Sequence, residues 1–149
     1  MTSIPTDIPP LDEFLCFATY TTNLAFGRAY KPMLDELGLT YTQWVVLLAL
    51  AENDGQTVSE LGRHLFLRSN TLTPLLKQLE QQGLLRRVRS QEDERQVVLT
   101  LTEAGWAKRE ASKSCLAMFD RCGLSPQEME SLQSALVKLR SNLLGTPLS

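Results

Sequence analysis

The chain has 149 residues, 43% of them hydrophobic and 21% charged, with a net charge of −2, the composition of one soluble globular domain long enough to bury a core. No apolar run approaches the roughly 20 residues of a membrane helix, and residues 1–10 lack the basic start and apolar centre of a signal peptide. Three cysteines outside any CxxC spacing and a single histidine, His64, leave a disulfide framework, a zinc site and triad chemistry short of residues, so no metal or cofactor is expected and a cytoplasmic setting with reduced thiols is.

After Pro9 and Pro10, Leu11, Phe14, Leu15, Ala18, Thr22, Ala25, Phe26, Ala29 and Met33 recur at helical spacing, which predicts a long amphipathic helix. Pro32 predicts a kink or a restart late in it, and Gly38 ends the stretch. Thr40 with Gln43 is a capping-box pattern ahead of a helix over 43–51 that is apolar enough to be buried. Asn53, Asp54 and Gly55 then make a turn. Thr57 with Glu60 repeats the capping box and opens a short helix over 58–65. Ser69 is predicted to cap a second helix that runs to Gln82 and stops at Gly83, with Pro74 near its first turn. Two short helices with a tight connection form a helix-turn-helix.

The period then changes. Residues 84–89 and 95–101 are short strands, the second alternating Val97, Leu99 and Leu101 with Gln96, Val98 and Thr100, and between them lies a charged tip. This is a β-hairpin, the wing of a winged helix. Thr102 is predicted to cap a helix to about Arg121. Ser125, Pro126 and Glu128 supply an N-cap, a first-turn proline and a capping box for the last helix. There Met129, Leu132, Leu136, Leu139 and Leu143 repeat at spacings of three and four, a seam that packs against another helix. With the similar stripe on the first helix it predicts an intersubunit bundle; the alternative is that it covers only the domain's own core.

Charge supports a nucleic-acid partner weakly. Residues 57–98 carry seven Lys or Arg against five Asp or Glu, leaving eight against twelve elsewhere. A mildly basic middle in an acidic frame fits a small DNA-reading module, although a solvated face of this size arises by chance about as often.

With this order of elements the sequence resembles the MarR family of transcriptional regulators over nearly its whole length, with the wing signature present as Asp93-Glu94-Arg95. Within the family it is similar to the organic-hydroperoxide-sensing OhrR branch of the two-cysteine type. That likeness is carried by Leu15-Cys16-Phe17-Ala18 with Tyr20, by the stretch 34–41 that ends in Thr40 and Tyr41, by the recognition-helix stretch 71–77, and by Asp93-Glu94-Arg95-Gln96-Val97. Two positions depart from the family pattern. Arg68 and Asn70 stand where an acidic residue and a glycine usually flank the serine, and no aspartate-proline pair precedes Asp93.

The resemblance implies a mainly α fold with a small β-hairpin: a single winged-helix domain over 1–149, in which 1–37 and 103–149 form the dimerisation helices and 40–101 the DNA-binding part. It implies a homodimeric repressor, not an enzyme, on palindromic double-stranded operator DNA, with an organic hydroperoxide as effector. A recognition helix reads the major groove with its N-terminal residues, which makes Arg68, Ser69, Asn70, Thr71, Thr73 and Lys77 the candidate contacts; for each singly, a solvated helix face is the equal alternative. Arg95 resembles the family arginine that enters the minor groove, with Asp93 fixing it by a charge-assisted hydrogen bond. Arg86, with Arg87 and Arg89, is expected to contact phosphate or support the wing.

For Cys16 the residues alone favour a buried core cysteine, whereas the resemblance makes it the peroxidatic thiol. Phe14, Phe17 and Phe26 are then possible pocket walls. Tyr20, and Tyr30 and Tyr41 from the partner subunit, are implied as phenols that donate hydrogen bonds to the thiolate. Cys122 resembles the resolving cysteine, with Cys115 as runner-up. The offset of seven residues puts those two on one helix face if the helix reaches that far; a spare core position is the other reading of Cys115. Two rival functions stay open: a MarR-type repressor answering to a reversibly bound aromatic ligand, and a thiol peroxidase using Cys16.

Overall fold

Side-chain caps set most of the helix starts. In a computed structural model that describes Ile4 and residues 6–145, α1 spans Leu15–Leu37, α2 Tyr41–Glu52, α3 Val58–Leu65 and α4 Ser69–Gln81, followed by β1 Leu85–Arg89 and β2 Val97–Leu101. After them come α5 Glu103–Ala111, α6 Met118–Arg121 and α7 Pro126–Leu144. Residues 1–3 and 5, part of the segment read as lacking a signal peptide, lie outside the described residues. No helix among the described residues is long and apolar enough to cross a membrane. The chain forms two compact units, Met1–Cys115 and Leu116–Ser149.

In the first unit the capping boxes of Thr40 with Gln43 and of Thr57 with Glu60 both form reciprocally. α2 is apolar on every side, as a helix in mid-core must be, and Val46, Leu47 and Leu50 have no exposed surface. Around it gather Leu34 of α1, Leu61 of α3, Leu72, Leu76 and Leu79 of α4, and Leu85 and Leu99 of the hairpin. Each such leucine contributes about 2 kcal/mol by leaving water.

The hairpin pairs antiparallel with Arg87 opposite Leu99. Its inner strand is stitched to the turn after α2: the Gly55 N–H donates to the Leu99 carbonyl and the Leu99 N–H to the Gln56 carbonyl, each at 2.9 Å. The Asp54 carboxylate accepts from the Leu101 N–H at 2.9 Å. Gln56 is buried and donates its amide to the carbonyls of Ala49 and Asn53. The wing is thereby fastened to the helix-turn-helix through residues 54–57.

Four sequence expectations are corrected. Residues Leu11–Glu13 form only a 3-10 turn, Phe14 is extended, and α1 starts at Leu15. α1 passes through Pro32 without a restart; Pro32 and Arg28 are both exposed, so the carbonyl deprived of its donor faces water. In α4 the N-cap is Arg68, with no side-chain cap bond, and Ser69 is the first helical residue. Pro74 thus sits in the second turn, where the exposed Asn70 carbonyl loses its partner. Finally, the helix after Thr102 does not reach Arg121. It ends at Ala111, and Ser112–Ala117 is 3-10, with the Ser112 and Ser114 hydroxyls donating to the carbonyls three residues back. Such back-bonding competes with helical geometry.

The second unit is simpler. The Ser125 hydroxyl accepts from the Glu128 N–H at 3.1 Å, the Glu128 carboxylate accepts from the Ser125 N–H at 2.8 Å, and Pro126 occupies the first turn of α7. Gly145, left-handed at φ 68°, ends the helix. Leu132, Leu136 and Leu143 of the seam are exposed.

Candidate nucleic-acid interface and sensor cysteine

The turn between α3 and α4 is tight for a physical reason. Phe66 caps α3 in the left-handed region at φ 57°, and the Leu67 N–H returns to the Gly62 carbonyl at 3.0 Å. A Cβ on Gly62 would stand 2.9 Å from the Leu67 carbonyl oxygen. α4 then buries Leu72, Leu76 and Leu79 on one face, which turns the opposite face outward. Arg68, Ser69, Asn70 and Thr71 are exposed together around its first turn, Lys77 is exposed further along, and Thr73 is half-buried. The structure therefore gathers the predicted recognition residues on one accessible edge.

The wing arginines divide into separate environments. Arg95 has 91% of its side chain exposed at the tip, and its Nε donates to Asp93 Oδ1 at 3.2 Å. The same oxygen accepts the Arg95 N–H at 3.1 Å, while the Ser90 hydroxyl accepts from the N–H groups of Glu92 and Asp93. Arg89 donates to the Glu94 carbonyl at 2.9 Å, bracing the tip. Arg87 is held by Glu80 of α4, and Arg86 is exposed. Between the start of α3, α4 and the wing lies a cleft of about 260 Å³, lined by Thr57, Ser59, Thr73, Arg87, Arg95 and Gln96 among others. Glu80 and Gln56 carry no signal in the sequence, and Asp54 carries only that of a turn. Their contacts join elements that no local spacing pattern connects.

The three cysteines are all free thiols in different settings. Cys16 is exposed in the first turn of α1, which sets aside its reading as a core cysteine. Cys115 takes that role at 1% exposure, and burial pushes its thiol up. Cys122 is half-buried at the C-cap of α6. The 3-10 segment removes the continuous helix that would have put Cys115 and Cys122 on one face.

Phe14 and Phe17 flank Cys16 and are half-buried, and Tyr20 is exposed one turn on. Phe26 is not part of this group. It stacks on Tyr30 at 6.2 Å, and Tyr30 contacts Tyr41 at 5.5 Å and Trp44 at 5.1 Å. Fourteen residues separate Cys16 from Tyr30, about 21 Å along a helix, so one chain alone does not bring that cluster to its own thiol. The Trp44 indole N–H is buried without a hydrogen-bond partner among the described residues. Beside the cluster is a cleft of about 340 Å³ walled by Leu24, Phe26, Gly27, Arg28 and Tyr41, with Asn23 and Lys31. Among the described residues no group of His, Cys, Asp or Glu could hold a metal ion.

A helix-turn-helix followed by a two-stranded wing, with the recognition edge free, defines a winged-helix DNA-binding transcriptional regulator. Comparison with known proteins agrees. Residues 28–111 match the family described as transcriptional regulator SarA/Rot. The chain is 43% identical over 136 residues to the organic hydroperoxide resistance transcriptional regulator of Bacillus subtilis, covering 89% of this chain and 91% of that one. Among solved structures it is similar to AbfR of Staphylococcus epidermidis. Reduced AbfR bound to DNA matches at TM-score 0.72 and 38% identity, over 87% of this chain and 91% of that one. Overoxidized AbfR bound to DNA matches at 0.70 and 41% over the same shares, and disulfide-formed AbfR at 0.60 and 43%, over 84% and 88%. The chain belongs to the MarR-type transcriptional regulators, the family that includes these proteins, and is a regulator rather than an enzyme.

Proposed function

We propose that the protein is a cytoplasmic homodimeric repressor that leaves a palindromic operator when an organic hydroperoxide oxidises Cys16. The observation that carries this reading is the exposure of Cys16 in the first turn of α1 while Cys115 is sealed in the core. The Cys16 thiolate attacks one peroxide oxygen, the O–O bond breaks, and the alkoxide leaves as an alcohol once protonated, giving a sulfenic acid. The Cys122 thiolate then attacks that sulfur, forming the S–S bond as the S–O bond breaks, and the hydroxide leaves as water once protonated. A disulfide needs Cα atoms within roughly 7 Å, so its closure constrains the start of α1 against the segment ahead of α7 in a way that one added oxygen does not. The AbfR pair, overoxidized on DNA and separately disulfide-formed, supports this division of effects.

The tyrosines fit the same reading through the second copy. Two α1 helices lying antiparallel and crossing near Asn23 bring each Cys16 toward Tyr30 and Tyr41 of the other chain, whose phenols donate to the developing charge, while Tyr20 stays with its own cysteine. Residues 1–37 and 103–149 supply the dimer, and 40–101 read DNA. Arg68, Ser69, Asn70, Thr71, Thr73 and Lys77 meet the major groove, and Arg86 meets phosphate. Arg95, steadied by Asp93, enters the minor groove, with half-sites about one helical turn apart.

The cleft beside Tyr41 and the orphaned Trp44 N–H favour a second reading, in which an aromatic ligand binds reversibly and Cys16 is not the sensor. One experiment separates the two: operator binding by the parent and by Cys16→Ser, with and without cumene hydroperoxide. The parent is expected to dissociate and Cys16→Ser to stay bound, because serine forms no sulfenic acid. Release of Cys16→Ser by the peroxide would sink the redox mechanism.

A further inference from the structure

We infer that Glu80, near the end of α4, is a positioning residue for DNA reading, a clamp that fixes the angle between the recognition helix and the wing. In an antiparallel ladder, opposed residues exchange either both backbone bonds or neither. Leu99, opposite Arg87, spends its N–H on Gln56 and its carbonyl on Gly55, on the far side of β2. The Arg87 N–H therefore points out of the free edge of β1, where an unpaired strand donor is a liability. Glu80 Oε2 accepts it at 3.1 Å, while Oε1 accepts Nε and Nη2 of the Arg87 guanidinium at 3.2 and 2.9 Å. One carboxylate thus takes an edge donor on one oxygen and two guanidinium donors on the other, all charge-assisted hydrogen bonds.

The placement gives this contact its consequence. Glu80 follows directly on Leu79, which is locked in the core, and lies one turn beyond the recognition residue Lys77. Arg87 lines the same cleft as Arg95 and Thr73. β2 is already fastened by residues 54–57, so the Glu80 bonds hold the opposite edge. The wing tip extends roughly 10–13 Å beyond Arg87 at strand rise, so a small tilt at the clamp moves Arg95 by ångströms. A duplex holds its two grooves in fixed relation, and the two reading groups must match it together. The Arg87 side chain, then its backbone N–H, hold the Glu80 carboxyl below its ordinary value, and the clamp stays charged at neutral pH.

This inference rests on the proposed minor-groove role of Arg95, and the test keeps the two apart. The probe is a duplex carrying the palindrome that the reduced parent protein selects from a random-sequence pool. Arg95→Ala alone reports the wing's share of binding. Glu80→Ala is expected to weaken binding about five- to tenfold in the parent, and less than about twofold in the Arg95→Ala background, because a wing without its reading group gains nothing from being aimed. Glu80→Gln, which still accepts the Arg87 N–H, is expected to fall between. If Glu80→Ala loses its cooperative melt, Glu80→Gln and Arg87→Ala are carried through the same cycle with the same pattern expected. Parent-like binding by the clamp variants, or an equal loss in both backgrounds, would overturn the clamp while leaving the Arg95 role intact. Parent-like binding by Arg95→Ala would overturn the wing reading and the clamp with it.

Discussion

At the scale of single side chains, chemistry follows environment more than neighbours in sequence. Cys16 sits among Phe14, Leu15 and Phe17 yet is exposed, whereas Cys115 lies between Ser114 and Leu116, two residues past Lys113, yet is buried. Burial raises the Cys115 thiol, with a smaller opposing contribution from the Ser114 hydrogen bond, so both access and thiolate fraction work against its reaction. Iodoacetamide in limiting amount at pH 7 is expected to label Cys115 last. Peptide mass spectrometry against time checks this, and Cys115 labelling ahead of Cys16 would reverse the assignment of core and sensor thiols. The sequence could not decide it, because an apolar run does not say whether its helix face meets the core. The bond between Asp93 and Arg95 is the one the family resemblance at the wing implies, and it joins partners two residues apart. That between Glu80 and Arg87 is not legible, because it crosses from a helix to a strand edge.

At the scale of elements, caps and turn residues are legible in the sequence, and the continuity of a helix is less so. Thr40, Thr57, Ser125 and Gly38 place helix ends where spacing predicts, since each acts within four residues. The 3-10 stretch Ser112–Ala117 is not legible because no glycine or proline marks the change of helix type, and the extended Phe14 is not because apolar residues at helical spacing run on from Leu11 through Leu15. The start of α5 shows what periodicity never encodes. The Thr102 hydroxyl donates to the Gly83 carbonyl and its N–H to the Leu84 carbonyl, which presses Gly105 onto the same backbone. A Cβ there would run into the Leu84 carbonyl, a backbone group that cannot swing aside, with the Leu101 side chain as its other near neighbour. Gly105→Ala is expected to cost about 3 kcal/mol or more, as severe overpacking does, by forcing α5 away from the connection between α4 and β1. Urea unfolding at fixed pH measures it; a parent-like midpoint would mean that α5 docks more loosely than described.

At the scale of the whole molecule, apolar surface without a cover must be explained. Leu132, Leu136 and Leu143 of α7, and Leu15, Tyr20 and Leu24 of α1, are all exposed in the single chain, more than scattered surface hydrophobics account for. The seam on α7 was legible from its spacing, but periodicity cannot tell a face that covers its own core from one that waits for another chain. Exposure of 40% at Leu136 and 50% at Leu132 favours the second chain. If the seam is a dimer interface, a carboxylate placed in it is desolvated without a partner and costs about 3 kcal/mol or more per site. The Leu136→Glu, Leu139→Glu double variant is therefore expected to sediment as a monomer at concentrations where the parent is a dimer. It should also bind the palindromic duplex more weakly, because two linked half-site contacts become two independent ones. The recognition helix and wing lie in the other unit and should keep their helical signature, so circular dichroism separates loss of assembly from loss of fold. An unchanged dimer mass in this variant would place the interface elsewhere and assign the leucine seam to the chain's own packing.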